Sequence, residues 1–324
     1  VVQTSIKNIA VIHPGTLGDL VIAAYAVKSL RRAFPEAQLD AFTRFDVWSL
    51  FPDLVDSWVD IETSGLHRIF VEVAPEIIGA RDIVVSWMGS KDKNFVENLA
   101  RSTGAKIVAG STKPDEKTHA VDHAASVLKE LGINAGADTL DFAPKPEWES
   151  ELKRILDDLD LTDLAKLLVV HPGSGASWKC WPAENFALIL SWWRSSGKPA
   201  LLLEGPADGD IVKAIQNRIT AIPTLSNPPL PVLATLLGNC AVYVGNDSGV
   251  TQMAAAVGAN VAAIFGPTDP EIWAPRGKNV NLIKGETDCA PCLIEKRREC
   301  KDLKCLDEIT VENMKAALKL AKIN

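Results

Sequence analysis

Short runs of β-branched and aliphatic residues alternate along this chain with longer stretches whose apolar positions recur every three or four residues. "IKNIAVI" (6–12) is a buried-strand pattern; a glycine-containing turn separates it from "DLVIAAYAVKSLRRAF" (19–34), a helical pattern stopped by Pro35. Strand patterns follow at 38–42, 56–61, 82–87 and 105–110, and "AVDHAASVLKELG" (120–132) predicts a helix ended by Gly132. The stretch 133–166, with Pro144, Pro146 and the charged helical run "EWESELKRILDDL" (147–159), reads as a linker. The alternation then restarts, with strands over 165–171, 198–205, 240–246 and 259–266 and helices over 182–197, 208–219 and 248–258. An amphipathic helix over 310–323 closes the chain. Strands interleaved with helices imply β-α-β units, and so an α/β protein of parallel, doubly wound sheets.

One segment is written twice. "VIHPGTLGDL" (11–20) and "VVHPGSGASW" (169–178) each place His-Pro-Gly at the end of the first strand of a repeating pattern. The 324 residues suit two domains of about 150 residues each. The expected layout is a Rossmann-like domain over 1–150, a second over 151–309, and a final helix, 310–324, placed to pack back on the first. Ligands of such sheets bind beyond the carboxyl ends of the strands, where both glycine-rich turns lie.

Composition narrows the function. A net charge of −7 argues against a general nucleic-acid binder, which needs a basic excess. The local basic run "EKRRECKDLK" (295–304) reads as a solvated face. No apolar run approaches the roughly 20 residues needed to span a bilayer, and "VVQTSIKNIAVIHPG" shows no signal-peptide pattern. A cytoplasmic protein is expected. Four of six cysteines, Cys289, Cys292, Cys300 and Cys305, fall close together. Thiolates so placed could ligate zinc or an iron–sulfur cluster, but the spacing fits no standard zinc pattern, and a bound metal is not favoured.

Three loops carry the candidate chemistry. In "GTLGDL" (15–20), Gly15 and Gly18 let backbone approach a ligand, and Asp19 opens a helix. Its carboxylate is either a helix cap or a general base at the edge of a cleft. In "HPGSGASWKCWP" (171–182), Ser174, Gly175 and Ser177 offer donors, and Lys179 precedes a proline-started helix. Such donors with one ammonium make a diphosphate cradle. In "VGNDSGVTQMAAAVG" (244–258), a strand ends at Asp247-Ser248-Gly249 and a helix of small apolar residues begins. That helix must be buried, so its amide-rich end is fixed and suits an anion; Asp247 suits sugar hydroxyls or a cap. "FGPTDPEIWAPRG" (265–277) adds Thr268 and Asp269, and "DGD" (208–210) at a helix start reads as capping. Neither turn has the G-x-G-x-x-G or Gly-Lys-Ser/Thr pattern, which disfavours a nicotinamide-dependent oxidoreductase and a P-loop enzyme.

Taken in order, Leu17-Gly18-Asp19, His171-Pro172-Gly173 with Lys179-Cys180-Trp181-Pro182, Gly245-Asn246-Asp247-Ser248-Gly249, and Phe265-Gly266-Pro267-Thr268-Asp269-Pro270 resemble glycosyltransferase family 9, the ADP-heptose:lipopolysaccharide heptosyltransferases. Cys289-Ala290-Pro291-Cys292 looks like that family too. The resemblance implies a GT-B fold, two Rossmann-like domains facing a central cleft, with acceptor on the N-terminal one and nucleotide-sugar on the C-terminal one. It implies an inverting, metal-independent transfer from a nucleotide-sugar donor, ADP-linked, to a lipid-linked saccharide acceptor. Asp19 then matches the catalytic base and Lys179 the contact to the donor diphosphate. Ser174, Gly175, Ser177, Asp247, Ser248, Gly249 and Gln252 fall on the donor side, and His13, Thr16 and Gly18 on the acceptor side. Two positions depart from the family's common pattern: His13 stands where many members have Arg, and Gln252 where relatives often have His. A lipid-linked acceptor also implies transient contact with a membrane surface, through Trp48, Phe51 and Trp58 or through 295–304. The competing reading is a non-catalytic nucleotide-sugar- or metal-binding module on the same fold.

Overall fold

The computed structural model describes residues 6–134, 139–292, 296 and 299–320. The chain divides into two units, 1–141 and 142–324. The first contains β1 (Asn8–His13), α1 (Leu17–Ala33), β2 (Gln38–Thr43), β3 (Ser57–Asp60), α2 (Pro75–Ile78), β4 (Ile83–Ser86), α3 (Lys93–Thr103), β5 (Lys106–Ala109) and α4 (Ala120–Ser126). Its strands form one parallel sheet in the order β3-β2-β1-β4-β5. β1 is central, and its residues from Ile9 to His13 are all buried. A strand covered on both faces must be apolar throughout, which is why "IAVI" shows no alternation. In α1 every residue from Leu20 to Val27 is buried. The pattern predicted over 120–132 begins as α4, tightens to a 3-10 turn over 127–131, and stops at Gly132 with φ +74°. Glycine takes that left-handed conformation without steric cost.

The second unit opens with α5 (Pro146–Asp158), the helical run inside the predicted linker. It continues through β6 (Leu168–His171), α6 (Ala183–Ser195), β7 (Ala200–Glu204), α7 (Gly209–Gln216), β8 (Thr224–Ser226), α8 (Leu230–Asn239), β9 (Val242–Asn246) and α9 (Gly249–Ala256). β10 (Val261–Phe265), α10 (Pro270–Trp273), β11 (Val280–Lys284), α11 (Lys304–Asp307) and α12 (Val311–Leu320) complete it. The parallel sheet runs β11-β10-β9-β6-β7-β8. α5 packs on α8, which draws the linker helix into this unit and sets the division ahead of residue 150.

The tail helix packs within the second unit. α12 packs on α6, β10 and β11, and its Met314 and Leu318 are fully buried in one core cluster with Trp181 and Phe186. Its apolar face is thereby occupied within the C-terminal unit. Residues 321–323 of the predicted helix lie outside the described residues.

Candidate active site

In the first sheet the strand order reverses between β1 and β4, the place where open α/β sheets hold ligands. His13 ends β1, and its Nδ1 accepts the Gly15 N–H at 3.0 Å. In the neutral ring the proton therefore sits on Nε2. Burial lowers the His13 pKa to about 4, against the opposing pull of the Asp19 carboxylate. Its ring lies against Trp87, with centroids 5.4 Å apart. Gly15 is squeezed between the two: a Cβ there would stand 2.4 Å from Asp19 Cβ and 2.6 Å from His13 Cε1. Asp19, in the first turn of α1, accepts the Thr16 N–H at 2.8 Å and the Thr16 hydroxyl at 2.9 Å, both on Oδ2. Its Oδ1 has no partner among the described residues. Capping and proton acceptance, alternatives in the sequence, are compatible because each uses a different carboxylate oxygen. Gly18 stands half-buried in the same turn, while Thr16 is exposed.

The buried histidine makes this unit acid-sensitive. An unfolded histidine titrates near 6.5 and the folded His13 near 4, so between those values the unfolded chain binds more protons and stability falls as the pH is lowered. Acidification from pH 7 to 4 should remove on the order of 3 kcal/mol through this group. His13→Asn keeps an acceptor near the Nδ1 position without a titrating ring. Its denaturant melts across that range should show a shallower loss than those of the wild type.

In the second sheet the order reverses between β6 and β9. The loop after β6 carries Lys179, whose Nζ lies 3.0 Å from Asp247 Oδ2, beyond the end of β9. Ser174 Oγ donates to the Asp247 carbonyl at 2.7 Å. Ser248 caps α9, its hydroxyl oxygen accepting the Thr251 N–H, and Gly249 begins the helix. Residues Thr251–Ala256 are all buried, so packing fixes the positive end of α9 beside the Lys179–Asp247 pair. Gln252 is buried and donates through Nε2 to the Trp273 carbonyl at 2.8 Å, which ties α9 to the end of α10. Gly175 and Ser177 lie exposed on the Lys179 loop and form no bond to the ion pair. In the loop after β10, Asp269 caps α10 through the Glu271 N–H, and the Thr268 hydroxyl is buried with no partner among the described residues.

Two features go beyond the sequence reading. Asn246, fully buried, donates from Nδ2 to the Pro172 carbonyl at 2.6 Å and accepts the Trp181 N–H on Oδ1 at 2.9 Å. One amide thus holds both ends of the Ser174–Lys179 loop. Asp208 corrects its reading as a simple helix cap. It occupies the N-cap of α7, yet makes no side-chain cap bond. Its Oδ2 accepts the Gly205 N–H at 2.8 Å and meets His171 Nε2 at 2.9 Å. Burial opposes ionisation of Asp208, but His171 and the Gly205 N–H outweigh it and hold the carboxyl below its usual range. Gly173 is glycine because a Cβ would fall 1.9 Å from Asp208 Oδ1. The only sequence signal for this pair is the repeated His-Pro-Gly.

The cysteines and the membrane candidates resolve in part. Among the described residues no group of three or more His, Cys, Asp or Glu is arranged to hold a metal ion. Burial first, then the neighbouring Cys292, Cys289 and Cys300, push the Cys305 thiol up to about 11. Trp48 and Phe51, each 2% exposed, are core residues and unavailable to a membrane. They were readable as surface aromatics only because their short 3-10 segment shows no periodicity. Trp58 is 38% exposed, its indole N–H donating to Thr43. The basic run 295–304 lies partly outside the described residues. No helix among the described residues is long and apolar enough to cross a membrane.

Two parallel, doubly wound units, with polar loops gathered where each strand order reverses, are the architecture of a glycosyltransferase of the GT-B class. The chain belongs to glycosyltransferase family 9 (heptosyltransferase), which matches residues 83–302. It is 29% identical over 293 residues to lipopolysaccharide heptosyltransferase 3 of Escherichia coli K12, covering 81% of this chain and 83% of that one. Among solved structures, the family 9 glycosyl transferase of Veillonella parvula shares the fold with a TM-score of 0.78 at 22% identity, covering 97% and 96% of the two chains. E. coli heptosyltransferase WaaC with ADP superposes with a TM-score of 0.69 at 16% identity, covering 96% and 99%.

Proposed function

We propose that this protein is an inverting heptosyltransferase that moves a heptose from ADP-heptose to a saccharide of a lipopolysaccharide core. The observation that carries the reading is the convergence of Lys179, Ser174 and the fixed N-terminus of α9 at the strand-order reversal of the second sheet. An ammonium beside aligned backbone N–H groups neutralises a diphosphate. The solved family structure with ADP supports the same class of donor.

In the transfer, an acceptor hydroxyl oxygen attacks the anomeric carbon while the bond from that carbon to the diphosphate oxygen breaks. The hydroxyl proton passes to Asp19 Oδ1. The diphosphate leaves with the bonding electrons, and Lys179 and the amides of Gly249 and Val250 take up its charge. Asp247, released from Lys179, accepts bonds from sugar hydroxyls, while Ser248 and Gln252 hold α9 in register. His13, Thr16 and Gly18 shape the turn that presents Asp19. Of Trp48, Phe51 and Trp58, Trp58 is the exposed one, suited to brief contact with the membrane that carries the acceptor, at the cytoplasmic face.

Calorimetric titration with ADP, UDP, GDP and CDP tests the donor half. ADP should bind selectively, and Lys179→Ala should weaken it by about tenfold or more, the scale of a lost charge-assisted contact. Selective UDP or GDP binding would remove the heptose assignment, and binding of none would refute the donor site.

A further inference from the structure

Thr251 lies in the first turn of α9 and is 1% exposed, on a helix whose following buried residues are Gln252, Met253 and three alanines. Valine has nearly the same shape, so the buried hydroxyl calls for a reason. We propose that Thr251 is a positioning residue of the donor site: its hydroxyl locks the turn from Asn246 to Gly249 and so aims the first amides of α9 at the donor diphosphate. The proposal rests on the transferase reading above and adds the residue that sets the geometry of its donor half.

A count of protons is the first argument. The Thr251 hydroxyl donates to the carbonyl of Asn246, five residues back at the last position of β9. A helical threonine ordinarily returns its hydroxyl to a carbonyl of its own helix; here the bond leaves the helix and ties it to the strand. A carbonyl only accepts, so the single hydroxyl proton is committed there. The other two contacts of the Thr251 oxygen, Tyr243 Oη at 3.0 Å and Ser248 Oγ at 3.0 Å, must then donate to it. Burial pushes the Tyr243 phenol above its usual range, so it keeps the proton it gives. One proton donated and two accepted exhaust the Thr251 hydroxyl.

The consequence for the turn is the second. The Ser248 proton points inward to Thr251, while the Ser248 oxygen accepts the Thr251 N–H at 3.3 Å. Ser248 has no proton left to offer a phosphate. The donors that this turn presents are the amides of Gly249 and Val250, which precede the first intrahelical bond. Thr251 holds the backbone that aims them at both ends, by the Asn246 carbonyl and by the Ser248 hydroxyl. The same tie reaches the Lys179 loop, because the Asn246 side chain donates to the Pro172 carbonyl at 2.6 Å.

Space is the third. A Cβ on Gly245 would stand 2.2 Å from Tyr243 Oη and 2.9 Å from Thr251 Oγ1, so glycine at this position leaves room for the network. Tyr243 is fully buried and Thr251 nearly so. Neither can touch a nucleotide, and any effect of theirs on the donor passes through the turn.

The test is calorimetric titration of the intact protein with ADP and with AMP, on the wild type and on Thr251→Val, Thr251→Ala and Thr251→Ser. Thr251→Ala removes the same hydroxyl without adding a methyl group, which covers the case of a valine variant that does not fold. Melting curves without nucleotide set a temperature at which each protein is folded. ADP should bind about tenfold more weakly to the two hydroxyl-free variants, while AMP affinity changes by about twofold at most, because the loss falls on the diphosphate. Thr251→Ser, which keeps the hydroxyl, should bind ADP as the wild type does. Unchanged ADP affinity in the hydroxyl-free variants, equal losses for ADP and AMP, or a serine variant as weak as the alanine one would overturn the assignment. Absence of ADP binding by the wild type would refute the donor reading itself and this assignment with it, so the wild-type titration tells the two failures apart.

Discussion

Asp19→Asn should lower kcat by about a thousandfold while leaving ADP affinity unchanged, the magnitude expected when a positioned base is removed. The amide oxygen of Asn can still accept the two bonds from Thr16, so the turn after β1 and the start of α1 keep their shape. What disappears is the anionic oxygen left unpartnered in the present structure. Single-turnover measurement with saturating donor isolates the chemical step, and a parallel ADP titration reports on the second unit. A variant with normal turnover would assign Asp19 to capping alone.

Asn246→Ala should cost about 2–4 kcal/mol in unfolding free energy, because it strands two buried groups, the Pro172 carbonyl and the Trp181 N–H. ADP affinity should fall as well, since the loop between those contacts carries Ser174 and Lys179. Chemical denaturation and ADP titration on the same preparation read both effects. Unchanged stability would mean that burial of Trp181, whose indole N–H donates to the Ile309 carbonyl, holds the loop without the amide. Asn246 lies in the second unit and His13 in the first, so the acid response attributed to His13 should persist in this variant.

Much of this architecture was readable before any coordinates. The central strands β1, β6, β9 and β10 are apolar runs flanked by glycine-containing turns, and their helices are long enough for the period to show. α8 was not read because "LPVLATLLGN" is apolar around most of its circumference and follows two prolines. β8 has three residues, too few for a pattern, and β11 is an edge strand with three of five positions exposed. α3 is amphipathic, and its capping Asp92 was a usable signal.

The site divides along the same line. Ser174, Lys179 and Asp247 stand in loops between recognisable elements and Asp19 in the first turn of a helix, where a polar residue draws attention. The contact between Lys179 and Asp247 spans 68 residues, and that between His171 and Asp208 spans 37. Such distances are closed by strand order, which periodicity does not encode. Gln252 falls on the donor side through the family resemblance alone, and in the structure its Nε2 donates to the Trp273 carbonyl. Trp48 and Phe51 show the converse: their place between elements suggests a surface position, and the structure buries both in the core.

Under the donor assignment proposed above, the ion pair of Lys179 and Asp247 would have a kinetic consequence. Before any ligand arrives, the ammonium already has a carboxylate 3.0 Å away as counter-ion. Simple inorganic anions therefore meet an internally neutralised site and gain little there. On that assignment an intact sugar nucleotide would resolve both halves of the pair at once, its diphosphate taking the ammonium and its sugar hydroxyls satisfying the carboxylate. After transfer the sugar is gone, and Asp247 again competes with the nucleoside diphosphate for Lys179. Such an arrangement would grip the substrate by two handles and the product by one, so turnover itself would loosen the hold and favour unloading over product inhibition.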